Sequence, residues 1–395
     1  MNAIGKRKER LFAVFAIVLM TVIGFVVLEG AARYIWKQKY NERLESRLHG
    51  YDMVDYERSI MVPIPNTVMT ANRHWNDLKK FNKPLGLKAL EQTLGGEPVD
   101  DSEVLFTINS LGFKGPEIEV PKPESTFRIL TIGDSCTFNP ARDSDSYPRH
   151  MERKLRELAD TDHRIEIVNG ALPGYNIERV NLRIDELLAA EPDLVTIYIG
   201  WNRTIGRADT RKNLFLYRNL ALYKLYYHGI LNRRDTGLQV DFQKTTFYDP
   251  DDPELDGLES YSFEYDMKDL EFMVNAITEQ DPTTRVVLIT LGGMMDHRLE
   301  PSERALEVSY PTHTTENLYA WPLLTAIFNN ELRAFAERHD NVDLIDFETH
   351  AYEKFRPRDE YFKDSVHPSL LGYRVMGEYF ARELLPYVPG RSDAE

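Results

Sequence analysis

A chain of 395 residues, 42% hydrophobic and 11% aromatic, can bury a substantial core, which excludes disorder throughout. Its 48 basic and 63 acidic side chains leave a formal charge of −15, which argues against sequence-independent nucleic-acid binding, because that relies on lysine and arginine neutralising phosphates. The single cysteine, Cys136, excludes an intramolecular disulfide framework and any multi-cysteine zinc site.

Leu11 to Leu28 run for eighteen residues without a charge. At 1.5 Å per residue a helix there reaches about 27 Å, close to the roughly 30 Å hydrocarbon core of a bilayer. Lys6, Arg7, Lys8 and Arg10 precede it, and Tyr34, Trp36 and Tyr40 follow where an interfacial aromatic belt would lie. A cleaved signal peptide would carry a shorter apolar region and a small-residue cleavage site, for which Gly30-Ala31-Ala32 is a poor match. The pattern predicts one transmembrane anchor over 11–30 behind a short basic cytoplasmic tail over 1–10. Arg33, Lys37, Lys39 and Arg43 nearly balance that tail, but its short, net basic character places the rest of the chain on the extracytoplasmic side.

Residues 31–126 read as a stalk and an irregular N-terminal extension, because Pro63, Pro65 and Pro84 interrupt any long periodicity. A short strand is expected over 104–108, followed by the turn-rich Asn109-Ser110-Leu111-Gly112-Phe113-Lys114-Gly115. From residue 127 the pattern becomes regular and runs to about 390. The apolar runs 127–133, 165–172, 194–200, 285–290 and 342–347 predict strands, the first of them buried on both faces. Helical spacing is found over 147–159, 176–190, 263–279 and 315–338, and a last helix runs from Ser369 to Leu385. Strands alternating with helices predict a central parallel five-stranded sheet in a three-layer α/β/α domain. An insertion over 203–262 interrupts the alternation. Its segment 213–230, rich in Leu and Tyr, reads as an amphipathic helix packed on the domain, resting on a membrane or roofing the site.

Three predicted strands end in polar or glycine-rich stretches: Gly133-Asp134-Ser135, Pro173-Gly174-Tyr175-Asn176 and Gly200-Trp201-Asn202. In a parallel sheet these fall on one rim, where ligand sites gather. Attack on an acyl carbon needs a nucleophile, a base to take its proton and donors for the developing oxyanion. Ser135 is the candidate nucleophile. His367, in Asp364-Ser365-Val366-His367-Pro368, is the candidate base, and Asp364 can hold its Nδ1–H. The Ser135 and Gly174 N–H groups and the Asn202 amide are candidate oxyanion donors. Each piece has a plainer reading: Ser135, Gly174 and Asn202 as turn or loop residues, Asp364 as a cap of the last helix. Asp296, His297 and His313 lack helical or hairpin spacing, and no metal site is expected from them. Cys136 reads as a small packing residue. No Gly-x-Ser-x-Gly elbow surrounds Ser135, and no P-loop or Gly-x-Gly-x-x-Gly fingerprint is present.

These blocks resemble the SGNH (GDSL-type) hydrolase superfamily, named for a Ser, a Gly, an Asn and a His in separate blocks. Gly133-Asp134-Ser135-Cys136 looks like the first block, Gly174 matches the second better than Gly170, Gly200-Trp201-Asn202 looks like the third, and Asp364 to His367 looks like the last. The Asn109-to-Gly115 turn is similar to segments of membrane-anchored bacterial members. The resemblance covers about 127–385. It implies a flavodoxin-like fold and cofactor-free, metal-free hydrolysis through an acyl-enzyme on Ser135. Two departures stand out: Cys136 replaces the usual leucine, and Arg203 replaces the aspartate that commonly follows the asparagine. Arg203 is expected to form a structural ion pair or to face an anionic substrate. The expected activity is that of a serine esterase removing acyl groups, O-acetyl or other short chains, from cell-envelope glycans or lipids. An O-acyltransferase with the same triad, or a catalytically silent membrane-tethered binding protein, are the alternatives.

Overall fold

The computed structural model describes residues 3–81, 100–139, 142–204, 214–227, 246–259, 261–312 and 315–390. The chain divides into two compact units, one of residues 1–47, 54–60 and 209–239, the other of residues 48–53, 61–208 and 240–395. The described strands are β1 (Asp52–Asp55), β2 (Ile60–Pro63), β3 (Thr67–Thr70), β4 (Val104–Ile108), β5 (Thr126–Gly133), β6 (Arg164–Asn169), β7 (Leu194–Tyr198), β8 (Arg285–Ile289) and β9 (Val342–Ile345).

The last five strands of the larger unit form one sheet in the order β6-β5-β7-β8-β9, with every neighbouring pair parallel. All eight residues of β5 are buried, as a strand covered on both faces requires. Ile132 of β5 is in register with Ile197 of β7, Ile197 with Leu288 of β8, and Ile289 with Ile345 of β9. Burial of each such side chain is worth roughly 1.5–3 kcal/mol, so this apolar ladder is the main driving force for the sheet. Helices flank it. Tyr147–Leu158 packs along Leu370–Leu384, and Glu264–Gln280 packs on Ile177–Asn181 and Ile184–Leu188. This is the expected α/β/α arrangement. The chain leaves β5 for β6 on one side and returns to β7 on the other. That reversal opens a crevice beyond the carboxyl ends of β5 and β7, the place where such sheets bind ligands.

Several helices are shorter than their periodicity suggests. The expected helix over 176–190 is two, broken at Leu182-Arg183, where Arg183 leaves the helical region at φ −125° and ψ 10°. The one expected to begin at 315 begins at Ala320, because the Asn317 side chain accepts the N–H groups of Tyr319 and Asp249 in a turn. Residues 48–81 are more regular than their prolines suggest. β3 pairs antiparallel with β4, matching Met69 with Phe106, and the helix Ala71–Phe81 follows. Pro63 closes β2 and Pro65 lies in the turn before β3, so neither stands inside a strand, where a ladder donor would be missed.

In the smaller unit a single helix runs from Ala3 to Glu45, and its Leu11–Glu45 stretch is long and apolar enough to cross a membrane. Phe12, Phe15 and Ile17 are exposed on it. The segment expected as one helix over 213–230 is two where it is described, Leu214–Asn219 and Ala221–Tyr226, broken at an extended Leu220. Its partner is the N-terminal helix: the Glu29 carboxylate accepts the N–H groups of Ala221 (2.8 Å) and Leu222 (3.1 Å), and Arg33 donates to the Asn219 carbonyl (2.9 Å). Residues 213 and 228–230 lie outside the described residues.

Asp52 is buried and accepts the His49 N–H at 2.7 Å. Burial, with the nearby Asp77 charge adding to it, raises its carboxyl to about 7. The folded protein therefore binds this proton more tightly than the unfolded chain. The contribution of this group to stability is fully present below pH 4 and is lost as the pH rises to 7, a change on the order of 1–4 kcal/mol. Asp52→Asn keeps the acceptor oxygen and removes the charge. Urea unfolding is expected to show the variant more stable than the parent at pH 8 and equal to it near pH 4.

Candidate active site

The five residues singled out in the sequence sit at the carboxyl rim of the sheet, Ser135 and Asn202 in short helices there, or just before the last helix. Ser135 follows β5 directly and opens the short helix Ser135–Phe138. Asp134 caps that helix by accepting the Cys136 N–H at 3.0 Å, which turns the chain sharply and presents Ser135 half-buried at the rim. Burial pushes the Asp134 carboxyl up to about 6, against the pull of the Cys136 amide and the His367 charge. Close packing beneath the turn demands glycine at 133: a Cβ there would lie 1.9 Å from Thr137 Oγ1.

His367 reaches this turn from a tight loop in which the Lys363 N–H donates to the His367 carbonyl at 2.9 Å. Its Nε2 lies 2.9 Å from Ser135 Oγ, across 232 positions of sequence. Its Nδ1 lies 3.0 Å from both Asp364 oxygens. Asp364 Oδ1 also accepts the N–H groups of Val366 (3.1 Å) and His367 (2.8 Å), so the carboxylate that orients the imidazole also folds its loop. Burial alone would raise the Asp364 carboxyl, but the His367 charge and hydrogen bond outweigh it and hold it at about 2. Capping of the last helix, the plainer role open to Asp364, belongs to Ser369, whose hydroxyl accepts the Gly372 N–H.

The glycine block follows β6. Gly174 takes a positive φ of 77°, a conformation that favours glycine, and its N–H is engaged by no described residue. Gly170, by contrast, spends its N–H on the Thr131 carbonyl of β5. Asn202 lies just beyond β7 and donates one amide hydrogen to the Tyr175 carbonyl at 2.8 Å, which fixes the plane of the amide and leaves its second hydrogen for another acceptor. Tyr175 was not legible as a partner, because main-chain acceptors leave no residue signature.

Arg203 pairs with Asp266 of the helix Glu264–Gln280, with Nε 2.7 Å from Oδ1 and Nη2 3.1 Å from Oδ2. It is a structural ion pair, as one of its two expected roles required. Cys136 is fully buried with Sγ 3.5 Å from the Val366 carbonyl, and burial pushes its thiol well up, which makes it packing rather than a nucleophile. The Asp296 carboxylate is held by Arg298 through bonds of 2.8 and 2.7 Å. His313 lies outside the described residues. A cavity of about 440 Å³ opens beside β6 with none of the five residues in its lining, and its Arg149, Arg156 and Arg164 are paired with Asp143, Glu152 and Glu166.

The arrangement holds a hydroxyl against an imidazole that is itself braced by a carboxylate, the chemistry of an activated nucleophile. Among solved structures the chain is similar to a protein of Parabacteroides merdae classed as a GDSL-like lipase, with 19% identity, a TM-score of 0.42, and 69% of this chain and 100% of that one covered. It is also similar to a lipase/acylhydrolase from Enterococcus faecalis (19% identity, TM-score 0.39, 68% and 100% covered). An acetyl xylan esterase from Geobacillus stearothermophilus is a third (17% identity, TM-score 0.39, 68% and 100% covered). No curated protein matches the sequence. The model of the GDSL-like lipase/acylhydrolase family matches residues 131–375, from within β5 into the last helix. That span exceeds half of the chain, which therefore belongs to the GDSL-like lipase/acylhydrolase family and is an ester hydrolase.

Proposed function

We propose that the protein is a membrane-anchored serine esterase that removes short acyl groups, O-acetyl among them, from glycans or lipids of the cell envelope. The observation that carries this reading is the continuous chain from Asp364 through the His367 ring to Ser135 Oγ, with contacts of 3.0 and 2.9 Å. Ser135 attacks the ester carbonyl while His367 takes its proton. The tetrahedral oxyanion is held by the Ser135 and Gly174 N–H groups and the Asn202 amide. His367 then protonates the leaving alcohol, and water resolves the acyl-enzyme by the same route in reverse. Serine, histidine and aspartate suffice for each step, so the mechanism calls on no cofactor or metal. The N-terminal helix serves as the anchor over 11–30, with the family domain over 127–390 on the extracytoplasmic side, close to acylated envelope polymers.

The test uses the full-length protein in detergent with p-nitrophenyl acetate and butyrate, O-acetylated glycans and a fluorophosphonate probe. Release of p-nitrophenol and of acetate from a glycan, together with labelling of Ser135, is the expected result. Labelling without turnover in water, with turnover restored by a sugar hydroxyl, would replace the hydrolase by an acyltransferase. Absence of both from folded protein would overturn the triad.

A further inference from the structure

The family match begins at residue 131, yet two loops of the candidate site are tied down by residues that precede it. The first tie is at the nucleophile turn. The carbonyls of Thr137 and Phe138 close the short helix that Ser135 opens. Thr137 O accepts from Asn169 Nδ2 at 3.1 Å, and Phe138 O accepts from the Lys114 ammonium at 2.5 Å. The Lys114 side chain is fully buried. Its Nζ lies 4.9 Å from the Phe106 ring centre and 4.7 Å from that of Phe138, with Asp143 Oδ1 at 3.9 Å. Burial lowers its amine to about 8, which marks the cost of keeping a charge there. Lys114 is held in turn by its own N–H on the Asn169 carbonyl of β6.

The second tie is at the glycine loop. The Tyr175 hydroxyl, fully buried, donates to the Met61 carbonyl in β2, and the Tyr175 carbonyl holds the Asn202 amide. One residue thus joins Gly174, Asn202 and the segment before the family domain. A Cβ on Gly174 would lie 3.9 Å from Met61 Cε, so that segment stands directly against the loop.

We propose that the segment preceding the family domain is part of the reacting site, with Lys114 and Tyr175 as positioning residues: Lys114 fixes the Ser135 turn through the Phe138 carbonyl, and Tyr175 fixes Gly174 and Asn202 through the Met61 carbonyl. The inference rests on the reading of Ser135 as nucleophile and of Gly174 and Asn202 as oxyanion donors. Both ties end on main-chain carbonyls of the protein, and both side chains are buried. Loosening them therefore leaves ground-state binding intact and misplaces groups that matter most in the transition state, where a shift of about 1 Å can cost on the order of 100-fold.

The experiment compares Tyr175→Phe, Lys114→Met and Lys114→Arg in the full chain with Val274→Ala, a core truncation in the helix Glu264–Gln280. The readouts are kcat and KM for p-nitrophenyl acetate, the rate of fluorophosphonate labelling, and urea unfolding. Tyr175→Phe is expected to lower kcat by about 5- to 20-fold and Lys114→Met by about 10- to 100-fold, with KM within about two-fold and labelling slowed in parallel. Lys114→Arg recovers most of the loss, and Val274→Ala is destabilised without losing rate. Folded Tyr175→Phe with wild-type kcat, or an equal loss of rate in Val274→Ala, would overturn the proposal. Deletion of one hydroxyl decides the question even if Lys114→Met does not fold. Labelling that persists in Ser135→Ala would instead sink the nucleophile assignment, a separate failure.

Discussion

Ser135→Ala is expected to lower ester hydrolysis by at least about 10⁴-fold and to abolish fluorophosphonate labelling, while the protein unfolds at the same urea concentration as its parent. The size of the effect follows from what is left behind. In the proposed mechanism His367 without Oγ has only water to activate, and the proposed oxyanion donors can contribute only a residual acceleration over solution. The small effect on stability follows from the half-buried position of Ser135 and from helix capping that rests on Asp134 rather than on the serine. The adjacent Cys136 does not stand in for it: its sulfur is buried and turned to the Val366 carbonyl, and its thiol resists ionisation. Hydrolysis within ten-fold of the parent, measured with p-nitrophenyl acetate on folded Ser135→Ala, would remove the serine from the mechanism.

How much of this was legible in the sequence depends on the kind of partner each residue takes. Apolar runs such as Phe127-Arg128-Ile129-Leu130-Thr131-Ile132 report a strand buried on both faces, and the alternation of such runs with helical spacing was sufficient for the five-stranded parallel sheet. The meeting of Ser135 and His367 across 232 residues follows from that topology, because one loop leaves β5 at the carboxyl rim and the other enters the last helix beside it. The strands β1, β2 and β3 are another matter. Each has four residues, too few for an alternating pattern to rise above chance, and Pro63 and Pro65 read as interruptions when the one closes β2 and the other turns the chain toward β3. Breaks inside helices were hidden for a related reason: Leu220 takes an extended backbone although leucine favours helices. Lys114, Tyr175 and Asn202 are engaged with the carbonyls of Phe138, Met61 and Tyr175, and a carbonyl oxygen is present at every position of every chain. Such contacts have no residue pair to find, and only a folded backbone reveals them.

Asp364→Asn separates orientation of the histidine from the rest of the machinery, and the expected result is a loss of about 10²- to 10⁴-fold in kcat with the fold retained. Asp364 Oδ1 accepts the Val366 and His367 N–H groups, and an asparagine oxygen can keep both, so the loop survives. The second oxygen, 3.0 Å from His367 Nδ1, becomes an amide nitrogen that donates where the carboxylate accepted. Nδ1 then faces that donor as well as the remaining oxygen at 3.0 Å, so the tautomer with its proton on Nε2 gains weight, and in it Nε2 presents a donor to Ser135 Oγ instead of a base. The same substitution removes a charge that favours the folded state. The carboxyl is held at about 2 against an ordinary value of 3.8, so its contribution, up to about 2 kcal/mol, is fully present above pH 4 and is lost as the pH falls toward 2. Urea unfolding of parent and variant should therefore differ most at neutral pH and converge in strong acid, whereas the loss of kcat persists across the neutral range. A variant with unaltered kcat would show that His367 is oriented by other contacts and would remove Asp364 from the triad.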